Sequence, residues 1–239
     1  VKYLYSLVNS GNLKEAFNYS KKLEKQKLDN FESRLIMGVS YLKNSNIKLA
    51  NKYFLKAKNI NSNFILNNYV SNSLHNWTNL SNLNQANLDL KKLDERFQNL
   101  KQIQNVFLNC YFDNSNTSSL FAELISNQMT DFSRYNYFYA SYVASSGMIK
   151  AAKEIVDNAL ELYPRNLLLN QYKIDLQKNE NIFLFNCKKE KHVIAEILYV
   201  TANALSSQSI FSLSNFYLNL AKYLNKDFHS YDTLLAENF

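Results

Sequence analysis

Apolar residues along this chain recur at intervals of three and four, the spacing that gathers them into one stripe of an α-helix. The pattern predicts helices over 63–77, 85–97, 101–110, 118–127, 167–177 and 230–238, with Ala86, Leu90 and Leu93 sharing a face in the second of these. The stretch 179–191 is the least regular and reads as a spacer or a skewed repeat. Tight hairpins and Gly-rich loops consume glycine and proline, and three Gly and one Pro among 239 residues leave little for either. The chain is therefore expected to be all-α.

Self-similarity is superimposed on that pattern. From Phe31 to Phe64 the chain reads FESRLIMGVSYLKNSNIKLANKYFLKAKNINSNF, with Gly38, Tyr41, Ala50, Phe54 and Ala57 at the eighth, eleventh, twentieth, twenty-fourth and twenty-seventh places. Gly38 and Ala57 are small where one helix of a pair presses on the other. Tyr41 and Phe54 fill the gap beside them, and Ala50 lets the second helix come close. A second copy, 133–166, carries Ala140, Gly147, Ala152, Ala159 and Pro164, and begins three whole 34-residue periods after the first. Gly147 falls at a turn where a positive φ is needed, and Pro164 lies just past the second helix, where no helical N–H is required. One period upstream of Phe31, Gly11 and Ala16 take the turn and close-approach places, so Val1 already stands inside a first helix. Downstream, 192–227 offers Ala202, Leu205, Leu218 and Ala221, with Ser209 in the turn. Between the two clear copies the helices have the right lengths but lack most of the small-residue marks.

The period and the placing of these residues resemble the tetratricopeptide repeat, with Ser62 standing where that family usually has proline and Arg34 where it has a large aromatic residue. The resemblance covers nearly all of the chain as helix pairs and about half of it as motif residues, and it is similar to long bacterial arrays of no assigned activity. It implies a right-handed superhelical solenoid of antiparallel helix pairs over 1–178, the spacer 179–191, and a further pair with the start of the next repeat over 192–239. It also implies a non-enzymatic scaffold that binds a protein or peptide on its concave face.

In such an array the first helix of each pair lines the concave face. Residues three or four apart project from it together: Tyr5 and Asn9 in the first unit; Glu32, Leu35, Val39 and Lys43 in the 31–64 copy; Arg134, Tyr137, Ser141 and Ser145 in the 133–166 copy; Glu196, Tyr199, Asn203 and Ser207 in the last. Tyr5, Asn9, Arg134, Tyr137, Ser141, Glu196, Tyr199 and Asn203 are the candidate groove residues, because tyrosine beside Asn, Ser and Arg suits an extended peptide. Leu35 and Val39 stand where a clamp for a terminal carboxylate would need Lys and Asn. Trp77, beside Leu74 and Leu80 at helical spacing, reads as a core anchor.

Charge and chemistry change the picture little. Lys+Arg 27 against Asp+Glu 20 gives +7 and a pI near 9.1, which raises a polyanionic partner. The abundance of Asn and Lys throughout fits an AT-rich genome better, so nucleic acid is not favoured. Cys110 and Cys187 lie far apart and outside any CxxC spacing, and are expected to be inert, partly buried thiols. His75, His192 and His229 lie at no metal-ligand spacing, and there is no phosphate loop, dinucleotide fingerprint or nucleophile elbow; no metal, cofactor or enzymatic activity is expected. The Asn-x-Ser/Thr triplets at Asn18, Asn76, Asn79 and Asn116 are of the kind an Asn- and Ser-rich chain produces by chance. No apolar run approaches the ~18 residues of a membrane span, so a soluble region, cytoplasmic or periplasmic, is expected. The start at Val1 and the end within a helix read as a fragment. Two other readings stay open: the substrate-recruiting arm of a larger enzyme such as a transferase, and a nucleic-acid-binding solenoid using Lys21, Lys22 and Lys25 with Lys188, Lys189 and Lys191.

Overall fold

The computed structural model describes residues 1–60, 64–126, 133–178 and 184–238. Among the described residues there are fourteen α-helices and no strand: α1 (Lys2–Asn9), α2 (Leu13–Lys25), α3 (Phe31–Lys43), α4 (Ile47–Lys58), α5 (Ile65–Thr78), α6 (Leu83–Lys91), α7 (Gln98–Tyr111), α8 (Thr117–Ser126), α9 (Tyr135–Ser145), α10 (Ile149–Leu162), α11 (Leu167–Gln177), α12 (Glu190–Ser206), α13 (Phe211–Leu224) and α14 (Ser230–Glu237). The all-α expectation holds. The helix expected over 85–97 is instead broken. α6 ends at Lys91, and a 3-10 turn follows at Glu95–Phe97, where the Asp94 carboxylate accepts from the Arg96 amide at 3.0 Å. Ser62, Asn63, Asn127 and residues 179–183 of the spacer lie outside the described residues.

Asparagine places several of these boundaries. The side chains of Asn30, Asn46, Asn82 and Asn166 accept from the third amide of α3, α4, α6 and α11, and at Asn30 the Ser33 hydroxyl returns the bond to form a capping box. A helix leaves its first amides without partners, and a short side-chain acceptor supplies one. Part of the asparagine excess therefore has a structural use.

Four of the turns inside the hairpins keep the period. Positive φ occurs at Gly11 (80°), Ser45 (59°), Asp113 (54°) and Gly147 (83°), so left-handed residues recur at separations of 34, 68 and 34. Asn79, at the intervening place, is not left-handed, and Lys27 and Ser209 have positive φ outside this frame. The close approach expected at Gly38 is present: a Cβ there would lie 2.4 Å from Phe54 Cε1. Ala50, Phe54, Ala57, Ala140, Ala152, Ala159 and Trp77 are all buried.

The chain divides into two compact units, Val1–Lys101 with Lys189–Phe239, and Gln102–Lys188; the boundary at Lys101 falls inside α7. This differs from a division along the chain at 178 and 192, because the last helices pack on the first. In the first unit α12 packs on α5, and α13 packs on both α1 and α3. Phe216, Tyr217, Leu218, Leu220, Ala221 and Leu224 of α13 are each at most 1% exposed, so this contact is part of the unit's hydrophobic core. Asn238 at the end of α14 ties the α12–α13 hairpin together, donating to Ser214 Oγ (2.9 Å) and Asn215 Oδ1 (2.6 Å) and accepting from Ser206 Oγ (2.5 Å).

In the second unit α8, α9, α10 and α11 pack in succession around an aromatic cluster. Phe107 lies 5.7 Å from Phe138 and 4.9 Å from Phe185 between ring centroids, and Phe138 meets Phe185 edge-on at 4.5 Å. The two cysteines correct the expectation of inert thiols. Cys110, near the end of α7, is disulfide-bonded to Cys187, with Cα atoms 6.0 Å apart. The partners are 77 residues apart, so spacing alone gave no sign of the pair.

Candidate binding face

The first helices of the N-terminal pairs are α1, α3 and α5, and their shared face is occupied by the chain itself. Asn9 Nδ2 donates to the Ser212 carbonyl (3.1 Å), and the Tyr5 ring meets Phe216 edge-on at 4.9 Å while its hydroxyl donates to Glu32 (2.9 Å). Leu35 and Val39 are fully buried, and the Lys43 ammonium lies 5.5 Å from the centre of the Tyr223 ring. Burial pushes the Tyr5 phenol well above its ordinary value, with the Glu32 carboxylate adding to it. Tyr5 and Asn9 thus hold α13 in place.

Glu196 on α12 is fully buried; Tyr199 is half-buried, 5.6 Å from the Tyr231 ring; Asn203 is exposed. At the start of α12, His192 is 8% exposed, and burial, then Lys189 and Lys191, push its pKa down to about 4. Lys43 is held below its usual range by burial first and then by Lys191 and Lys226. The basic charge belongs to this unit: Gln102–Lys188 carries seven Lys/Arg against eight Asp/Glu, and the rest of the chain twenty against twelve.

In the second unit the stripe on α9 splits. Tyr137 is 1% exposed and packs edge-on against Tyr172 of α11 at 4.9 Å; burial raises its phenol, and Tyr172 is pushed up to about 12 by the same cause. Arg134 lies over the Phe138 ring at 5.4 Å. One turn further along, Ser141 and Ser145 border a cavity of about 340 Å³, with Tyr142, Ser146, Phe121 and Phe138. Its remaining wall comes from Cys110, Asp113 and the segment Phe185–Lys188. Lys188 Nζ pairs with the Asp113 carboxylate and donates to the Tyr111 carbonyl at 2.9 Å.

Of the eight sequence candidates, the structure brings Tyr5 and Asn9 together on α13, buries Tyr137, Ser141 and Glu196, and leaves Asn203 open to solvent. Sequence reasoning missed Phe121, Tyr142 and Phe185, and singled out Lys188 only as part of a basic run. Phe121 and Tyr142 lie in helical stretches whose periodicity marks a buried face without saying what it faces, and Phe185 and Lys188 lie in the stretch with no periodicity at all. Among the described residues no cluster of three or more His, Cys, Asp or Glu could hold a metal ion, and no helix is long and apolar enough to cross a membrane. No protein-family model, no curated protein and no solved structure matches this chain.

Proposed function

We propose that the chain is a tetratricopeptide-like helical solenoid that serves as a non-enzymatic scaffold, holding a peptide or protein segment against the face made by the first helices of its hairpins. The observation that carries the reading is the use the chain makes of that face itself: α1, α3 and α5 receive α12 and α13, so this surface is built to take helical chain segments. The 34-residue recurrence of left-handed turns supports the repeat architecture. With the first unit's face filled from within, the corresponding face of the second unit, around α9, is where a separate partner docks.

Selection of peptides from a random displayed library on the folded chain tests the reading. Selected peptides are expected to compete with one another and to slow amide exchange in α9 and in Phe185–Lys188. No selectable peptide, or protection confined to the second helices α4 and α10, overturns it.

A further inference from the structure

The cavity beside α9 has chemistry specific enough to name its ligand. Three buried rings, Phe121, Phe138 and Phe185, form its apolar wall, and half-exposed Tyr142 lies 5.7 Å from Phe121. The exposed hydroxyls of Ser145 and Ser146 donate to the Tyr142 carbonyl (2.6 and 3.3 Å) and so face the cavity as acceptors, beside Asn186, whose Oδ1 accepts from the Lys188 amide (2.8 Å). Among the described residues that line it, the charged ones, Lys188 and Asp113, are paired with each other, so together they offer no net charge to an ionic ligand. A volume of about 340 Å³ lies at the small end of ligand sites and accommodates a single substituted ring. Aromatic walls favour a ring edge-on or offset, and hydroxyl and amide groups favour one hydrogen-bonding substituent on it.

The disulfide is part of the same wall. Phe185, Asn186, Cys187 and Lys188 are consecutive and lie outside any helix, and Cys187 is bonded to Cys110 at the end of α7. We infer that this cavity is a binding site for an uncharged, phenol-type aromatic ring, and that it is assembled only while the Cys110–Cys187 bond is intact. A dithiol such as dithiothreitol delivers two electrons and two protons, the S–S bond becomes two thiols, and the reductant closes to its cyclic disulfide. Segment 185–188 then loses its covalent hold on α7.

The inference rests on the proposed function only for where the ring comes from: a free small molecule, or the tyrosine side chain of a docked polypeptide. The test titrates p-cresol and, separately, N-acetyl-tyrosinamide into the oxidised chain, following backbone amide resonances. Saturable shifts are expected in Ser141–Ser146 and Phe185–Lys188 at millimolar p-cresol, the range open to so small a ligand. Ser145→Trp, placed at an exposed position so that the fold is kept, is expected to fill the opening and weaken binding at least tenfold with unchanged helical circular dichroism. Reduction, or the double variant C110S/C187S, is expected to do the same. No saturation, or equal binding by Ser145→Trp, overturns the site. Undiminished binding after reduction overturns its dependence on the disulfide. Binding of both probes supports a side chain of a polypeptide as the occupant; binding of p-cresol alone supports the ring site while counting against the scaffold reading at this face.

Discussion

At the scale of single residues, Gly38 shows how a small side chain is fixed by its neighbour. Alanine in a helix interior ordinarily gains about 1 kcal/mol over glycine. Here the added methyl would meet the buried Phe54 ring at 2.4 Å, and overpacking costs about 1–3 kcal/mol. Gly38→Ala is therefore expected to lower stability in urea denaturation despite its better propensity, and Phe54→Leu in the same chain to restore part of the loss. His192 makes a second prediction. Its folded pKa, about 4, lies below the ordinary 6.5, so the unfolded chain takes up a proton first as pH falls, and stability present above pH 6.5 is lost toward pH 4. The facing charges are Lys189 and Lys191 beside it, Lys43 from α3 and Asp227 after α13. At about 1.4 kcal/mol per pH unit the effect reaches ~3 kcal/mol at most. His192→Gln should flatten that part of the pH–stability curve; an unchanged difference between pH 7 and pH 4.5 would refute it. Gly38 and Gly147 were legible from sequence because each answers to a local rule. The pKa of His192 was not, since it arises first from burial and then from charges on three separate segments.

Elements bring out what the turns and the α13 contact contribute. Ser45 sits at φ 59° with a side chain that favours negative φ, so Ser45→Gly is expected to stabilise the chain by about 0.5–1 kcal/mol in thermal or chemical denaturation. Gly147→Ala, with open space around its Cβ but φ at 83°, is expected to destabilise by a similar amount through the backbone alone. Phe216 of α13, fully buried against Tyr5, provides the contrasting case. Phe216→Ala should cost about 3–5 kcal/mol and increase binding of a hydrophobic dye, because the face of α1 and α3 loses its cover. A loss under 1 kcal/mol would mean that α13 is not part of the core. The helix periods showed that α13 exists and which of its positions are apolar. They could not show that it packs on α1 and α3, some two hundred residues earlier in the chain, because periodicity records that a face is buried and not what buries it.

For the molecule as a whole, the disulfide and the division into units decide most. Cys110–Cys187 closes a loop of 77 residues that coincides closely with the second unit, and a cross-link of that span stabilises by about 4 kcal/mol through the unfolded chain. Reduction is expected to make Gln102–Lys188 exchange its amides much faster while α3, α4 and α13 stay protected; uniform loosening of both units would contradict their independence. The sequence by itself determined the helical class, the 34-residue frame, the left-handed glycines and the small residues at helix crossings. All of these follow from interactions within one or two helices, where spacing along the chain and spacing in space are nearly the same. Only the tertiary structure decided that the face of the N-terminal hairpins is filled from within, that two distant cysteines meet, and that Phe121, Phe138 and Phe185 wall one cavity. Each of these joins residues separated by dozens to hundreds of positions, and the chain between them leaves no periodic trace of where it returns.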